Sequence, residues 1–182
     1  MLAEEVAHKY ATALFLAARE KNILDSVHDE LQSLQQVIRS DRALLNFLSA
    51  PQVLEESKAK MLRETFEKRI NRLLVEFLVV LVHKHRVNFL DEIIEEFGNQ
   101  YETEKGIGRA TVITALPMTK QERGEITTRL AARTGKTIVL QEKIDPSIIG
   151  GMIAMFDGDI IDGSVRHSLS ELREQLTHLR VH

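Results

Sequence analysis

The sequence predicts an α+β fold, in which an N-terminal six-helix bundle is followed by a small C-terminal α/β domain with a short sheet and a long terminal helix. Three observations support this prediction. Apolar residues recur at helical spacing through the first hundred residues. Short β-branched segments then replace them. The chain ends on a leucine stripe that follows two Asp-Gly pairs. The expected domains are residues 1–105 and 106–182.

Four predicted helices in the first half each carry one apolar face, as expected for helices that pack on a shared core. Their apolar stripes run from Val6 to Ala17, Leu24 to Ile38, Leu44 to Leu48 and Leu54 to Phe66. The third helix is expected to stop just before Pro51, because proline disfavours helical backbone in the residue that precedes it.

The next two helices differ from these four and from each other. Residues 73–82 leave almost no polar face, so the fifth helix is expected to be central and surrounded. The sixth helix places apolar residues from Phe89 to Tyr101 on one stripe and acidic residues from Asp91 to Glu96 on the other face. Paired carboxylates can act as general acid and base, but carboxylates spaced along an outward face are typical of a solvated helix, which is our interpretation.

A strand, a helix and a second strand are predicted after residue 105. Ala110–Leu116 is short and β-branched, which favours a strand. Thr119 and Glu122 have the spacing of a capping box, so a helix is expected to begin there. Gly135 is suited to end that helix in a left-handed conformation. The second strand is predicted at Lys136–Ile144.

A β-hairpin and a final helix are predicted for the remaining residues. The hairpin spans Gly151–Ile161 and turns at Asp157-Gly158, because a tight primed turn needs a positive φ that glycine adopts without steric cost. The pair Gly150-Gly151 indicates close backbone packing or a bulge. Ser164 is a candidate N-cap for the last helix, which is expected to close the domain. The apolar stripe of that helix consists of Val165, Leu169, Leu172, Leu176 and Leu179.

Composition argues against several classes of protein. A net charge of −3 gives no general attraction to phosphate backbones, so nucleic-acid binding is not expected. There is no cysteine, which excludes disulfides and thiolate metal sites. No apolar run reaches the roughly 18–20 residues that a membrane-spanning helix needs. Any association with a membrane is therefore expected to pass through a partner.

Two clusters contain residue types that bind metals, and neither is predicted to be a metal site. His83 and His85 are two residues apart, so on a helix their rings point about 200° apart and cannot share an ion. If the helix has already ended, a chelate is possible but lacks a third ligand nearby. Asp157, Asp159 and Asp162 do not keep the register of a calcium-binding EF-hand loop and are better interpreted as turn and cap residues.

No catalytic residue and no cofactor is predicted. Gly106-x-Gly108 lacks the third glycine of a dinucleotide fingerprint, and the sequence contains no P-loop lysine motif. The seven histidines are scattered, without a local signature of a catalytic triad. The chain is therefore expected not to be an enzyme, and a hydrolase built from residues distant in sequence is kept as an alternative.

The first helix offers a candidate interaction surface. Small side chains surround Tyr10 and Leu14 and would let a partner helix approach closely, while the aromatic ring supplies area to bury. A second interpretation is that these alanines face only the core of the bundle, and the sequence does not decide between the two. The alanines are Ala3, Ala7, Ala11, Ala13, Ala17 and Ala18.

Three segments resemble the δ subunit of the bacterial F-type ATP synthase, called OSCP in mitochondria. HKYATALFLAAREKN, from His8 to Asn22, is similar to the opening helix of that family. HKHRVNFLDEIIEEF, from His83 to Phe97, resembles its sixth helix and the turn before it. KIDPSIIGGMIAMFDGDIIDGSVRHSLSEL, from Lys143 to Leu172, resembles its C-terminal signature. This chain departs from the family at Met155, where an arginine is usual, and at Asp157-Gly158, where Gly-Asp is usual.

The resemblance implies a peripheral-stalk (stator) subunit that links the catalytic F1 head to the membrane-anchored b subunits, so that proton flow is coupled to ATP synthesis. The N-terminal domain would bind the N-terminal helix of an α subunit between the first and fifth helices, with Tyr10, Ala13, Leu14 and Val80 assigned to that groove. The C-terminal domain would bind the C-terminus of the b subunit. The protein would lie at the cytoplasmic face of the bacterial inner membrane, attached only through the complex. The alternative from another class is a helical nucleic-acid-binding adaptor, which would show a steep loss of affinity with salt.

Overall fold

The computed structural model describes residues 2–156 and 158–179, with side chains described for 3–156 and 158–175. The chain divides into two compact units, Met1–Tyr101 and Glu102–His182. The described residues are mostly helical, with one four-stranded sheet and a C-terminal helix. The predicted α+β class is therefore confirmed.

The helices that precede the sheet lie close to their predicted positions. They are α1 (Leu2–Glu20), α2 (Leu24–Ser40), α3 (Ala43–Ser49), α4 (Glu55–Phe66), α5 (Arg72–His83) and α6 (Leu90–Glu104), with a 3-10 turn at Val87–Phe89. α3 ends two residues before Pro51, as expected from the restricted backbone that precedes proline. The assignment of Leu54 to the apolar face of the fourth helix is wrong. Leu54 is the extended N-cap residue of α4 and is 72% exposed, because the helix begins one residue later.

A single apolar core holds the first unit together. The largest side chains that are fully buried in it include Leu14, Leu31, Leu62, Leu74 and Phe97. α5 is buried around most of its circumference, as its apolar sequence predicts. Val80 is the exposed apolar residue of that helix, with 45% of its surface exposed.

The second unit is built on a sheet whose strands lie in the order β2-β1-β3-β4. β1 (Ile107–Thr114) pairs in parallel with β2 (Thr137–Ile144), and α7 (Lys120–Thr134) connects them. β3 (Gly151–Phe156) pairs antiparallel with both β1 and β4 (Asp159–Ser164). β1 begins and ends earlier than the predicted strand, because its ladder with β2 sets the bounds.

The predicted boundaries of α7 are confirmed by its caps. The Thr119 side chain accepts a hydrogen bond from the backbone of Glu122, and the Glu122 side chain accepts one from the backbone of Thr119. At the other end, Gly135 adopts a left-handed conformation with φ of 68°, which a residue with a Cβ atom adopts less readily.

The β3–β4 hairpin also forms as predicted, although Asp157 of its turn lies outside the described residues. Gly151 has a φ of 73°, and a Cβ atom there would lie 2.2 Å from the carbonyl oxygen of Gly163. Close backbone packing thus explains this glycine. Ser164 is confirmed as the N-cap of α8 (Val165–Leu179), since its Oγ accepts a hydrogen bond of 3.1 Å from the amide of His167.

The expectation that the last helix closes the domain is wrong for the residues described. The side chains of α8 from residue 165 to 175 are all exposed, and the helix packs mainly on β4 and on a 3-10 turn at Pro146–Ile148. α8 begins at the residue directly after β4 ends. Leu176 and Leu179 lie outside the described side chains.

Candidate partner-binding surfaces

One edge of α1 forms a low apolar surface beside α5, with which it is in contact. Tyr10 is half-buried and packs against the core of the first unit. Ala13, one turn further along, is exposed. Leu14 is only 2% exposed and belongs to the core, so it supports this surface from beneath and offers a partner almost no area.

The structure separates the two interpretations of the alanines on α1. Ala7, Ala11 and Ala18 are buried in the core, at 4%, 0% and 0% exposure. Ala13 is exposed and Ala17 is half-buried, on the edge that carries Tyr10. Ala7, Ala11 and Ala18 therefore serve the core, whereas Ala13 and Ala17 leave low relief at the surface of α1.

Val80 is left open on α5 because α4 covers the neighbouring positions only. Arg63 of α4 donates two hydrogen bonds to Glu76, at 3.2 and 3.0 Å. Glu55 of α4 lies 2.9 Å from Nδ1 of His83. Val80 stands one turn from each of these partners on the helix surface and remains 45% exposed.

The opposite edge of α1 is fixed to α6 by polar contacts. Nδ1 of His8 lies 2.7 Å from Oε1 of Glu96, and Nε2 of Gln100 donates a 2.9 Å hydrogen bond to Thr12. Burial raises the pKa of Glu96, but hydrogen bonds from Gln100 and His8 outweigh it and leave that pKa below its usual value. Tyr10 is about 200° from both His8 and Thr12 around the helix, so these contacts leave its edge uncovered.

His83 and His85 follow the second alternative, in which the helix has already ended. α5 ends at His83, and His85 has a φ of 54°, so the two rings are no longer on one helix. Both rings lie against a single carboxylate, with Glu55 at 2.9 Å from His83 and at 3.2 Å from His85. The hydrogen bond with His83 lowers the pKa of Glu55. Within the described residues, no group of three or more histidine or acidic side chains is arranged to hold a metal ion.

The interpretation of the aspartates as turn and cap residues is confirmed for Asp162. Its carboxylate accepts a 2.9 Å hydrogen bond from the amide of Ser164, and this hydrogen bonding lowers the pKa of Asp162. Asp145 does the same for Ser147 at the 3-10 turn before β3. Asp157 lies outside the described residues.

The second unit presents its own apolar surface on α8. Val165, Leu169 and Leu172 follow each other at helical spacing and are 41%, 52% and 54% exposed. Among the described helices, none is both long and apolar enough to cross a membrane. The stripe on α8 is an exposed apolar patch of the second unit.

Sequence reasoning missed a further group of exposed apolar residues at one end of the sheet. Leu116, Ile144 and Ile149 are 76%, 54% and 63% exposed. Leu116 was predicted to be part of a strand, but the ladder ends at Thr114. Pro117 and Pro146, which interrupt regular pairing, are the only signal in the sequence that marks this end.

Comparisons with known proteins give the family. A family model described as ATP synthase delta (OSCP) subunit matches residues 6–176. ATP synthase subunit delta of Lactobacillus johnsonii is 35% identical over 178 residues, which cover 97% of this chain and 97% of the relative. ATP synthase subunit delta of Chlorobaculum parvum is 33% identical over 170 residues, which cover 93% of this chain and 94% of the relative.

A solved structure of an ATP synthase contains a chain with a similar fold. A chain in the cryo-EM structure of the Toxoplasma gondii mitochondrial ATP synthase hexamer matches with a TM-score of 0.68 and 26% identity, over 94% of this chain and 97% of that chain. This protein therefore belongs to the ATP synthase delta (OSCP) subunit family, whose members are structural, non-catalytic subunits of the synthase stalk.

Proposed function

We propose that this protein joins two neighbours in the synthase, the N-terminal helix of an α subunit through its first unit and the C-terminus of a b subunit through its second. The observation that carries the proposal is that each unit leaves an apolar helix surface open. These surfaces are the edge of α1 and α5 around Tyr10, Ala13 and Val80, and the stripe on α8. Held through both units, the protein would prevent the catalytic head from turning with the rotor.

The surface on the first unit suits an amphipathic helix. Small side chains on α1 allow close approach, and the ring of Tyr10 and the methyl groups of Val80 offer apolar area on either side. In this proposal the six helices before the sheet act as one bundle that keeps the two edges in place. The hydrogen bonds of His8 and Thr12 to α6 support this role, since they fix the rotation of α1.

The surface on the second unit suits a second helix laid along α8. Val165, Leu169 and Leu172 form a continuous stripe that no described part of the unit covers. Burial of such side chains stabilises a complex by about 25 cal/mol for each Å² of apolar surface removed from water. The protein would thereby be held at the cytoplasmic face of the bacterial inner membrane through its partners.

A stator function requires tight association and no chemistry. A helix seated in a groove buries on the order of 1,200–2,000 Å² in total, which supports tight binding when a few anchor side chains pack well. The nucleic-acid-binding alternative is not supported, because the chain has a net charge of −3 and its relatives are ATP synthase subunits.

The groove is tested by Val80→Asp with Val37→Asp as the matched control. Val37 lies on α2 and is 53% exposed, similar to the 45% of Val80. We expect Val80→Asp to weaken binding of a synthetic peptide from the N-terminus of the α subunit at least about tenfold in calorimetric titration, because it buries an unpaired charge. Val37→Asp should bind like the wild type, and circular dichroism should show that both variants are folded. Equal affinities of the two variants would contradict the proposed groove.

The second surface is tested by Leu169→Asp in the full-length chain. We expect this variant to lose binding to a peptide from the C-terminus of the b subunit and to keep its affinity for the peptide from the α subunit, because the two surfaces belong to different units. Retained binding of the b peptide would place its site elsewhere on the protein.

A further inference from the structure

A cavity of about 320 Å³ lies between α7 and one face of the sheet in the second unit, apart from the two surfaces proposed above. Its apolar walls are Met118, Ile126 and Met152, and its polar lining includes Thr114, Glu125 and Arg129. α7 has no fully buried side chain among its residues, so the helix does not fill the space above the sheet. The volume is at the lower end of the range for ligand pockets, about 300–1,000 Å³.

Thr114 is an unsatisfied polar group in the wall of this cavity. The residue is 8% exposed, and its hydroxyl oxygen has no hydrogen-bond partner among the described residues. The backbone of Thr114 is paired, since its carbonyl accepts a 2.8 Å hydrogen bond from Asp145, so only the side chain lacks a partner. The hydroxyl oxygen has almost no accessible surface in the observed rotamer, so a rotation about χ1 that exchanges it with the methyl group is needed to present it to a group bound in the cavity.

Exposed apolar side chains surround this buried hydroxyl. Ile144 on β2 and Met152 on β3 are the cross-strand partners of Thr114, and they are 54% and 40% exposed. Leu116, two residues after Thr114, is 76% exposed. A concave site with an apolar collar and one buried polar group is the usual form of a pocket that takes an anchor side chain.

Two features of the lining select the chemistry of the anchor. Two of the three apolar walls are methionines, whose thioethers make favourable contacts with aromatic rings. The buried Thr114 hydroxyl requires a hydrogen-bonding group at the inner end of that ring. Tyrosine combines an apolar ring with a polar tip, and it is enriched among the residues that dominate binding energy at interfaces.

The charged side chains at the opening of the cavity favour particular residues beside the tyrosine in the partner sequence. Arg129 forms no ion pair within the described part of the chain and would attract a carboxylate. The carboxylate of Glu122 is occupied by the backbone and side chain of Thr119. Glu125 accepts a hydrogen bond from the neutral amide of Gln121 and stays available to a cation. A tyrosine flanked by one acidic and one basic residue is complementary to this pattern.

We propose that the cavity beneath α7 binds a tyrosine side chain of a partner polypeptide, with its ring against Met118, Ile126 and Met152 and its hydroxyl hydrogen-bonded to Thr114. The site goes beyond the proposed function, because neither the α1–α5 edge nor the α8 stripe includes any of these residues. It adds a third contact surface, located on the sheet side of the second unit.

The test uses p-cresol, the side-chain fragment of tyrosine, with toluene as the fragment that lacks the hydroxyl. Amide chemical shifts of the full-length protein are followed by NMR during titration with each fragment. We expect saturable shifts confined to residues around the cavity, and tighter binding of p-cresol than of toluene.

Thr114→Val supplies the decisive comparison, and Thr111→Val is its matched control. Thr111 lies on the same strand, on the opposite face of the sheet. Loss of one buried hydrogen bond should weaken p-cresol binding about fivefold in Thr114→Val and leave toluene binding unchanged. Thr111→Val should match the wild type for both fragments. Equal affinity of wild type and Thr114→Val for p-cresol, equal affinity of the wild type for both fragments, or shifts spread over the surface without saturation would each overturn the proposal.

Discussion

In the first unit the large apolar side chains meet each other, whereas in the second unit many of them face outward. Phe97 is fully buried in the first unit, where its ring packs edge-on against Phe15 with centroids 6.0 Å apart. In the second unit Ile160 is 63% exposed on an edge strand, and Leu172 is 54% exposed on α8. The first unit therefore has an extensive core of its own, while the second leaves much of its apolar surface exposed.

The difference follows from how many elements are available to cover each apolar face. In the first unit, α5 lies among other helices and is buried on most sides. In the second unit, the apolar side chains that are buried among the described residues are few, namely Ala110, Val112, Ile138 and Ile148. A small α/β unit with one crossover helix buries a limited share of its surface, and its stability is correspondingly sensitive to what binds it.

The largest expected effect comes from truncation in the core of the first unit. Phe97→Ala should reduce the free energy of unfolding by about 3–5 kcal/mol, because it removes a buried ring and leaves a cavity. Ile160→Ala, on the exposed edge of the second unit, should change it by less than about 0.5 kcal/mol. Urea unfolding followed by circular dichroism measures both. Similar losses in the two variants would break the comparison between the units.

A slightly smaller effect is expected from the backbone contact in the β3–β4 hairpin. Gly151→Ala should destabilise the protein by at least about 2 kcal/mol, since the new Cβ atom would meet the backbone of Gly163 at a positive φ. Gly124→Ala is the matched control on α7, where nothing lies within 4 Å. It should stabilise the protein by up to about 1 kcal/mol through helix propensity. A neutral Gly151→Ala variant would show that the hairpin tolerates a shift of the two strands.

Removal of the unpaired hydroxyl in the second unit should raise stability. Thr114→Val replaces a buried hydroxyl that lacks a partner among the described residues, and we expect a gain of about 1 kcal/mol in the free energy of unfolding. Thr111→Val serves as the control, with an expected change near zero. Differential scanning calorimetry compares the two. A loss of stability in Thr114→Val would contradict the absence of a hydrogen-bond partner for this hydroxyl.

The smallest effect concerns the contact between Glu55 and the histidines at the end of α5. Because the pKa of Glu55 is lowered by its hydrogen bond with His83, the contact stabilises the fold above the unfolded-state pKa of glutamate, about 4.3. That contribution is lost as the pH falls through the lowered pKa of the folded state. When the pH is lowered from 7 to 3, the melting temperature of Glu55→Gln should therefore fall by less than that of the wild type. The melting temperature of the control, Glu56→Gln, should fall by as much as that of the wild type. Parallel curves for wild type and Glu55→Gln would show that this exposed contact adds nothing to stability.

Sequence reasoning predicted best those features that depend on residues close together in the chain. The capping box of Thr119 and Glu122 and the left-handed Gly135 were expected from spacing alone, and both are present. The direction of α8 could not be predicted in this way. An apolar stripe shows which face of a helix is suited to packing, but it does not identify the surface against which that face packs. The joint contact of His83 and His85 with Glu55 was missed for the same reason, since Glu55 comes from another helix.

The residues of the candidate surfaces were likewise predictable only in part. Exposure of Ala13 and Val80 agrees with their assignment from family resemblance, but the 2% exposure of Leu14 shows that the neighbouring position serves the core. The cavity at Thr114 had no signal in the sequence. It requires β1, β3 and α7 to come together, and a threonine in a β-branched strand carries no mark of lacking a hydrogen-bond partner.

The central claim is that this protein couples the synthase by holding neighbouring subunits, and it is tested most directly by ATP synthesis in membrane vesicles. Vesicles that contain the synthase depleted of this protein are energised with a proton gradient and assayed with and without the purified chain. We predict that the wild-type chain restores ATP synthesis and that the double variant Val80→Asp, Leu169→Asp does not, although it is folded. Equal synthesis in the presence and absence of the chain would contradict the account.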